Sequence, residues 1–460
     1  MSAPVPLLTA RVRYHARWVV PIATPPLEDG TVITERDRIV WVGPRAHAPA
    51  GGRDEELGDS ILTPGLVNAH THLELTMMRG FLEDLPFFDW VRTLTRARAE
   101  VLTARDASDA ALLGVAEGLR AGITTFGDTA DSTAPFDALR ALGARGIAFR
   151  EVFGPDPVEA TAALARLQVG VAEMRKDATP LVRVGVSPHS PYSVSNALFA
   201  AVGTWAKQEA LPLAIHLAES EEEDALVQRG EGPFADFLRA RGIAVARRAP
   251  ASVPLVRVAG LARPDTLLIH CVRVSPEDIR ALANAGCGIA HCPVSNAKLG
   301  HGVAPLAEMV AAGARVGLGT DSMASNNQMD ILGEARIAVL QQRVRASAGL
   351  GAPITARGAL RLATLGGAEA LRLDEEVGSL EVGKQADLAV FSVGPVGAPT
   401  PDPIAALIFA PAHARVTRVI VAGEERMRDG RVQGFDPAIA ARVEAAAGRL
   451  AQWRSAQAAR

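Results

Sequence analysis

The chain is poor in cysteine, lysine and tyrosine. Its three cysteines, Cys271, Cys287 and Cys292, form no Cys-x-x-Cys pair. That excludes a disulfide framework and suits a reducing cytoplasm. No apolar run approaches the ~20 residues that span a bilayer, and the first residues lack the basic-then-apolar order of a secretory signal. A net charge of -3 offers no footprint for nucleic acid or for an anionic membrane surface. The expected partner is a small molecule, and a homo-oligomer is compatible with the sequence. Lysine occurs only at positions 176, 207, 298 and 384. None of these lies on a middle strand, so the bridging lysine of two-metal barrel sites is missing.

What is present is a long run of short apolar segments alternating with helical ones. Eight strand candidates follow one another: 62–72, 123–127, 147–153, 181–187, 213–217, 266–271, 288–292 and 315–320. Each is mostly apolar, as strands buried on both faces are. Ser275-Pro276-Glu277-Asp278 is a helix start, with Ser at the cap and Pro at the first helical position. Eight such units predict a (β/α)8 TIM-like barrel over residues 63–372. An open doubly wound sheet is the alternative, but no Gly-x-Gly-x-x-Gly follows an early strand. Residues 1–62 and 373–435 read as strands and turns, expected to form a small β-sandwich domain from both chain ends. Residues 436–460 read as a C-terminal helix.

A barrel of this kind carries its chemistry at the C-terminal ends of the strands. His70, His72, His189, His216, His270 and His291 all fall at predicted strand ends, and Asp321 ends the eighth. One such histidine is readily a core residue; this many around one rim are hard to assign to packing. His70 and His72, two apart on a strand, point to the same face. With His216 and Asp321 they supply three imidazoles and a carboxylate, the donor set of a catalytic metal site with a position left for water. One divalent metal is expected, Zn2+ first, with Fe2+ or Mn2+ compatible with the same ligands. Glu151 is a candidate for a second metal, but its neighbour Arg150 offers it an ion pair instead. Glu219, three residues past His216, can move a proton to a substrate ring; it also reads as the head of a helix-start acidic run through Asp224.

The segments Pro64 to His72, His216-Leu217-Ala218-Glu219, His270-Cys271, His291 to Asn296, Gly319 to Ser322 with Ser325-Asn326-Asn327, and Gly378 to Leu388 resemble the amidohydrolase superfamily. The branch is that of nucleoside deaminases and triazine chlorohydrolases, and the likeness covers nearly the whole chain. The resemblance implies a metal held by His70, His72, His216 and Asp321, a proton shuttle at Glu219 and an orienting His270. His189 looks like the substrate-contacting histidine of S-adenosylhomocysteine deaminases. Glu74 and Ser325, within His72 to Thr76 and Asp321 to Ser325, look most like aminodeoxyfutalosine deaminases of a menaquinone route. Met77 to Gly80, followed by an acidic and aromatic loop, is similar to the S-adenosylhomocysteine and methylthioadenosine deaminases.

The expected reaction is hydrolytic removal of the 6-amino group of an adenine-like nucleoside, aminodeoxyfutalosine first. A thioether nucleoside, or a ring hydrolysis of the chlorohydrolase type, is the alternative. In that scheme Glu219 protonates the ring nitrogen, Asp321 returns a proton to the departing ammonia and His270 steadies the hydroxide. Arg150 is expected to meet a carboxylate on the substrate. The aromatic segment from Phe81 to Trp90 reads either as a pocket wall or as an amphipathic helix on the barrel.

Overall fold

The computed structural model describes residues 11–393, 401–410 and 414–458. Eight parallel strands follow one another around a barrel: β1 (Leu66–Thr71), β2 (Ile123–Ala130), β3 (Arg145–Val152), β4 (Val182–Pro188), β5 (Leu213–Leu217), β6 (Thr266–His270), β7 (Gly288–His291) and β8 (Arg315–Leu318). Their apolar character matches their burial: every residue of β1, β2, β5, β6 and β7 is buried.

Alternation along each strand then decides what faces inward. On β3, Ile147 and Phe149 join Val67, Ala69, Ala214 and Ile269 in the barrel interior, whereas Ala148 and Val152 pack outward beneath the helices. Glu151 therefore continues the inward set and Arg150 the outward one.

Closure comes from β8 meeting β1. The backbone N–H of Asp321 donates to the His70 carbonyl at 2.9 Å, and Thr71 bridges Asp321 in parallel register. The approach is close because position 319 is glycine. A Cβ there would lie 2.9 Å from the His70 Cβ.

The predicted strand 62–72 is two strands. Ser60–Pro64 belongs to a second sheet, and only Leu66–Thr71 enters the barrel. Gly65 is the joint between them: its N–H donates to the Asp387 carbonyl, and a Cβ would meet the Thr124 side chain at 2.1 Å. That second sheet has nine strands and is drawn from both chain ends. Its order is Arg431–Val432, Glu424–Arg428, Ala414–Val421, Leu388–Val393, Ser60–Pro64, Arg11–Val19, Leu27–Glu35 and Arg38–Pro44, with Arg53–Glu56 beside Arg11–Val19. Most pairs are antiparallel, and Tyr14, Val32, Ile39, Leu62, Leu388 and Ile420 share one apolar cluster. A buried fork joins sheet to barrel: Arg145 donates to both oxygens of Asp387 at 2.8 and 3.0 Å. Removing one partner would strand a buried charge, at a cost of about 3–5 kcal/mol.

The C-terminal helix, Ala438–Ala458, lies across the helix Ala104–Arg120. Arg442 grips Asp109 with two 2.7 Å hydrogen bonds. Among the described residues no helix is long and apolar enough to cross a membrane.

Candidate active site

Three imidazoles and a carboxylate converge where β1, β5 and β8 end. Asp321 Oδ1 lies 3.2 Å from His70 Nε2 and 3.6 Å from His72 Nε2. The Nε2 atoms of His72 and His216 are 3.3 Å apart. His216 Nδ1 faces the His189 carbonyl at 3.1 Å. A carbonyl only accepts, so Nδ1 carries the proton and Nε2 presents a lone pair. His72 Nδ1 lies 3.3 Å from the Thr129 hydroxyl, which can accept its proton and leave Nε2 free.

Lone pairs from several rings therefore aim at one point, and neither ring nitrogen of the buried His70 has a hydrogen-bond partner. A cation fits this arrangement. Bonds of about 2.0–2.1 Å in a tetrahedral site place donor atoms roughly 3.3 Å apart, close to these separations. Burial drives the imidazoles of His70, His72 and His216 below the ordinary histidine range, which favours the neutral form that can bind a metal. Burial alone would raise the Asp321 carboxyl, yet the His70 ring beside it holds it well below the usual range.

Asp321 is fixed from behind. Its Oδ2 accepts from the hydroxyls of Ser295 at 2.5 Å and Ser325 at 3.1 Å, and its Oδ1 accepts from the Ser322 N–H. Asp321, His270, Cys271 and Ala218 all adopt left-handed backbone, at φ of 60°, 74°, 48° and 52°. Such conformations cost non-glycine residues on the order of 1–3 kcal/mol each and cluster at functional sites.

Glu219 and His270 sit beside the four donors. Both are buried, with His270 Nε2 3.4 Å from Glu219 Oε1. His270 Nδ1 faces Asn296 Oδ1 at 3.0 Å, which turns Nε2 inward. Asn296 Nδ2 in turn lies 3.4 Å from His291 Nδ1. His291 thus supports the residue that orients His270. Burial would raise the Glu219 carboxyl, but His270 and His301 lower it below the usual range, and its Oε2 is buried with no hydrogen-bond partner.

Four expected substrate contacts are placed as follows. His189 follows β4 at the mouth. Its Nδ1 meets the Ser193 hydroxyl at 2.7 Å, its ring leans on that of His216 with centroids 4.6 Å apart, and burial lowers it to about 4. Ser325 is committed to Asp321 and the Ser322 carbonyl. Glu74 is engaged by Arg98 at 2.6 Å and by the Ser132 hydroxyl. Arg150 faces outward beside Gly170 of the helix Ala160–Lys176, with its Nη1 buried and without a hydrogen bond. No ion pair joins it to Glu151. The expected Arg150–Glu151 pairing fails because adjacent strand residues point to opposite faces. Glu151 instead lies 4.0 Å from His189 Nε2.

Two residues of the site carried no expectation. Glu223, within the acidic run that ends at Asp224, is fully buried and accepts from the N–H groups of Ala218 and Glu219 at 2.8 and 3.2 Å. The Ser220-x-x-Glu223 spacing of a helix start is the signal that could have found it. His301 is the other: its Nε2 is 3.4 Å from Glu219 Oε1. The aromatic segment is partly a helix, Phe87–Val101, whose Phe87 packs edge-on against His301 and Tyr192.

The family model described as "Amidohydrolase family" matches residues 61–426. A 5-methylthioadenosine/S-adenosylhomocysteine deaminase of Moorella thermoacetica is 34% identical over 430 residues, covering 91% of this chain and 94% of its own. A zinc-bound adenosine deaminase structure from Xanthomonas campestris superposes with a TM-score of 0.83 at 29% identity, covering 95% of this chain and 98% of its own. An aminofutalosine deaminase of Helicobacter pylori, solved with methylthio-coformycin, has a TM-score of 0.77 at 22% identity, covering 90% of this chain and 100% of its own; it shares the fold.

Proposed function

Because the chain belongs to the amidohydrolase family and is on that ground a hydrolase acting on C–N bonds, we propose that it deaminates the adenine ring of a thioether nucleoside. The substrate class is that of 5-methylthioadenosine and S-adenosylhomocysteine. The observation that carries this reading is the meeting of His70, His72, His216 and Asp321 within reach of Glu219 and His270. The choice of nucleoside leans on the full-length relative of that name at 34% identity. The aminodeoxyfutalosine reading, preferred from the sequence, has a likeness of fold only at 22% identity behind it, so it stands second.

A divalent ion held by His70, His72, His216 and Asp321, zinc by preference, would supply hydroxide at neutral pH by lowering the pKa of water to ~7. Protein groups direct the protons. The unpartnered Oε2 of Glu219, ionised at rest, takes the proton that the attacking water gives up and delivers it to the ring nitrogen beside the amine-bearing carbon. Asp321 takes the remaining hydroxyl proton and hands it to the amine as the C–N bond breaks. One water is consumed, one ammonia leaves and the ring keeps the carbonyl oxygen. His270, its Nδ1–H given to Asn296 Oδ1, accepts at Nε2 from the attacking hydroxyl and so orients it towards the ring carbon.

The test is ammonia release by zinc-loaded protein from methylthioadenosine, S-adenosylhomocysteine, aminodeoxyfutalosine, adenosine, guanine and cytosine. Thioether nucleosides should give the highest kcat/KM. Preference for aminodeoxyfutalosine would restore the other reading. Silence across the panel with metal bound would sink the nucleoside reading altogether.

A further inference from the structure

Among the buried titratable groups, His301 has no place in the proton transfers above. It follows the helix Pro293–Lys298, between Gly300 and Gly302, whose φ values of 75° and 100° let the chain double back. Its own N–H donates to the Asn296 carbonyl at 2.9 Å. Asn296 thus ties down both rings that flank Glu219: His270 through its side chain and His301 through its backbone. Each ring places Nε2 3.4 Å from the same oxygen, Oε1. The second oxygen, Oε2, has no hydrogen-bond partner, and the approach of His301 Nε2 to Oε1 is an ion-pair contact, not an aligned hydrogen bond. Phe87 closes the other side of the His301 ring, edge-on with centroids 4.6 Å apart, so the ring has little room to turn away.

We propose that His301 is a positioning residue for Glu219, holding Oε1 so that Oε2 faces the substrate ring nitrogen. The proposal rests on Glu219 as the proton carrier. A carboxylate free to rotate about its last bond would offer either oxygen at a wandering angle. A protonated His301 ring beside Oε1 fixes which oxygen works, and pre-set placement of this kind is worth much of an acid–base residue's contribution. The acids that act on His301 are Glu219, Glu222 and Asp321. They raise its affinity for a proton against the opposing effect of burial, which favours the N–H donor at Nε2.

The experiment compares H301Q, H301L and E219Q in zinc-loaded protein, with zinc content and thermal melting as checks on the fold. H301L keeps bulk but no donor; it should lose kcat by about tenfold or more with KM within about threefold. Glutamine places an amide N–H near the position of Nε2, so H301Q should recover most of that loss. Histidine ring NMR gives a readout apart from turnover: the resonance absent from H301Q should titrate above ordinary histidine in the parent and fall in E219Q. The proposal is overturned if H301L keeps kcat within about twofold of the parent. It is equally overturned if H301Q and H301L are impaired alike, or if the His301 titration ignores E219Q. Full-rate turnover by E219Q would remove the proton-carrier reading itself, an outcome visible independently of His301.

Discussion

Asp321 and His70 touch twice. The Asp321 backbone N–H donates to the His70 carbonyl at 2.9 Å, and its Oδ1 lies 3.2 Å from His70 Nε2. The contact that closes the barrel is therefore also an edge of the candidate metal site. Gly319 permits it, since a Cβ there would sit 2.9 Å from the His70 Cβ and 3.0 Å from its backbone N and O. Gly319→Ala should push β8 away from β1. We expect a loss of about 1–3 kcal/mol of stability and reduced zinc content per chain. Urea unfolding with metal analysis checks both, and unchanged zinc affinity would separate closure from coordination. Asp321→Ala should keep the fold and abolish turnover.

Glu223 gives a second test. It reaches back from the helix Glu221–Arg229 to hold the N–H groups of Ala218 and Glu219. Ala218 is in left-handed backbone, at φ 52°, so the turn carrying Glu219 needs this support. Glu223→Ala leaves two buried donors unmet, costing about 1–3 kcal/mol each at most. The kcat should fall on the order of tenfold or more through the displaced proton carrier, with zinc still bound. Steady-state kinetics beside zinc content checks this. A normal kcat in E223A would mean the turn holds itself.

These two sites mark the limit of what the sequence made legible. The eight strands were readable because burial on both faces leaves a continuous apolar signature, and the residues after them followed from strand-end logic. His70 and His72 showed themselves by their two-residue spacing. The break at Gly65 did not, because an apolar run carries no sign of which sheet each half joins. Glu223 hid among Glu221, Glu222 and Asp224: the Ser220-x-x-Glu223 spacing marks a helix start, but which of these carboxylates is fully buried is set by tertiary packing. His301 lies on a turn rather than at a strand end, outside the rule that found the other histidines. The opposite facing of Arg150 and Glu151 follows from strand alternation alone.

His291 supplies a pH dependence of stability. Burial lowers its imidazole to about 3, with the His270 ring adding to the effect. Unfolded histidine titrates near ~6.5, so below that pH the unfolded chain binds a proton that the folded chain refuses. Stability therefore falls as pH drops from ~6.5 towards about 3, by up to ~1.4 kcal/mol per pH unit from this one group. His291→Asn should flatten the difference in urea midpoint between pH 7.5 and pH 5.5 relative to the parent. Parallel curves for the two proteins would refute the assignment.

Metal removal separates folding from activity. The barrel core, the Arg145–Asp387 fork and the β1–β8 contact are made between protein groups. A chelator should therefore abolish ammonia release while the far-ultraviolet circular dichroism persists. A ligand at about a thousand times its Kd adds ~4 kcal/mol to stability, so the melting temperature should fall by several degrees and return with zinc. Loss of secondary structure on chelation would mean that the ion is structural.

The C-terminal helix anchors the segment from Phe81 to Glu83. Arg454 donates to the carbonyls of Phe81 and Glu83, and the Trp453 ring packs on Phe81 with centroids 6.4 Å apart. Asn327 and Lys298 hold Glu83 from the other side, at 2.8 and 2.9 Å. This segment leads into Phe87, which lies against His301. Arg454→Ala frees two carbonyls without touching the proposed metal donors. Substrate capture should weaken more than chemistry, raising KM by about three- to tenfold while kcat changes less than twofold, for a loss of roughly one hydrogen-bonded anchor. A fall in kcat at unchanged KM would instead show that the strap acts on the proton carrier through Phe87 and His301.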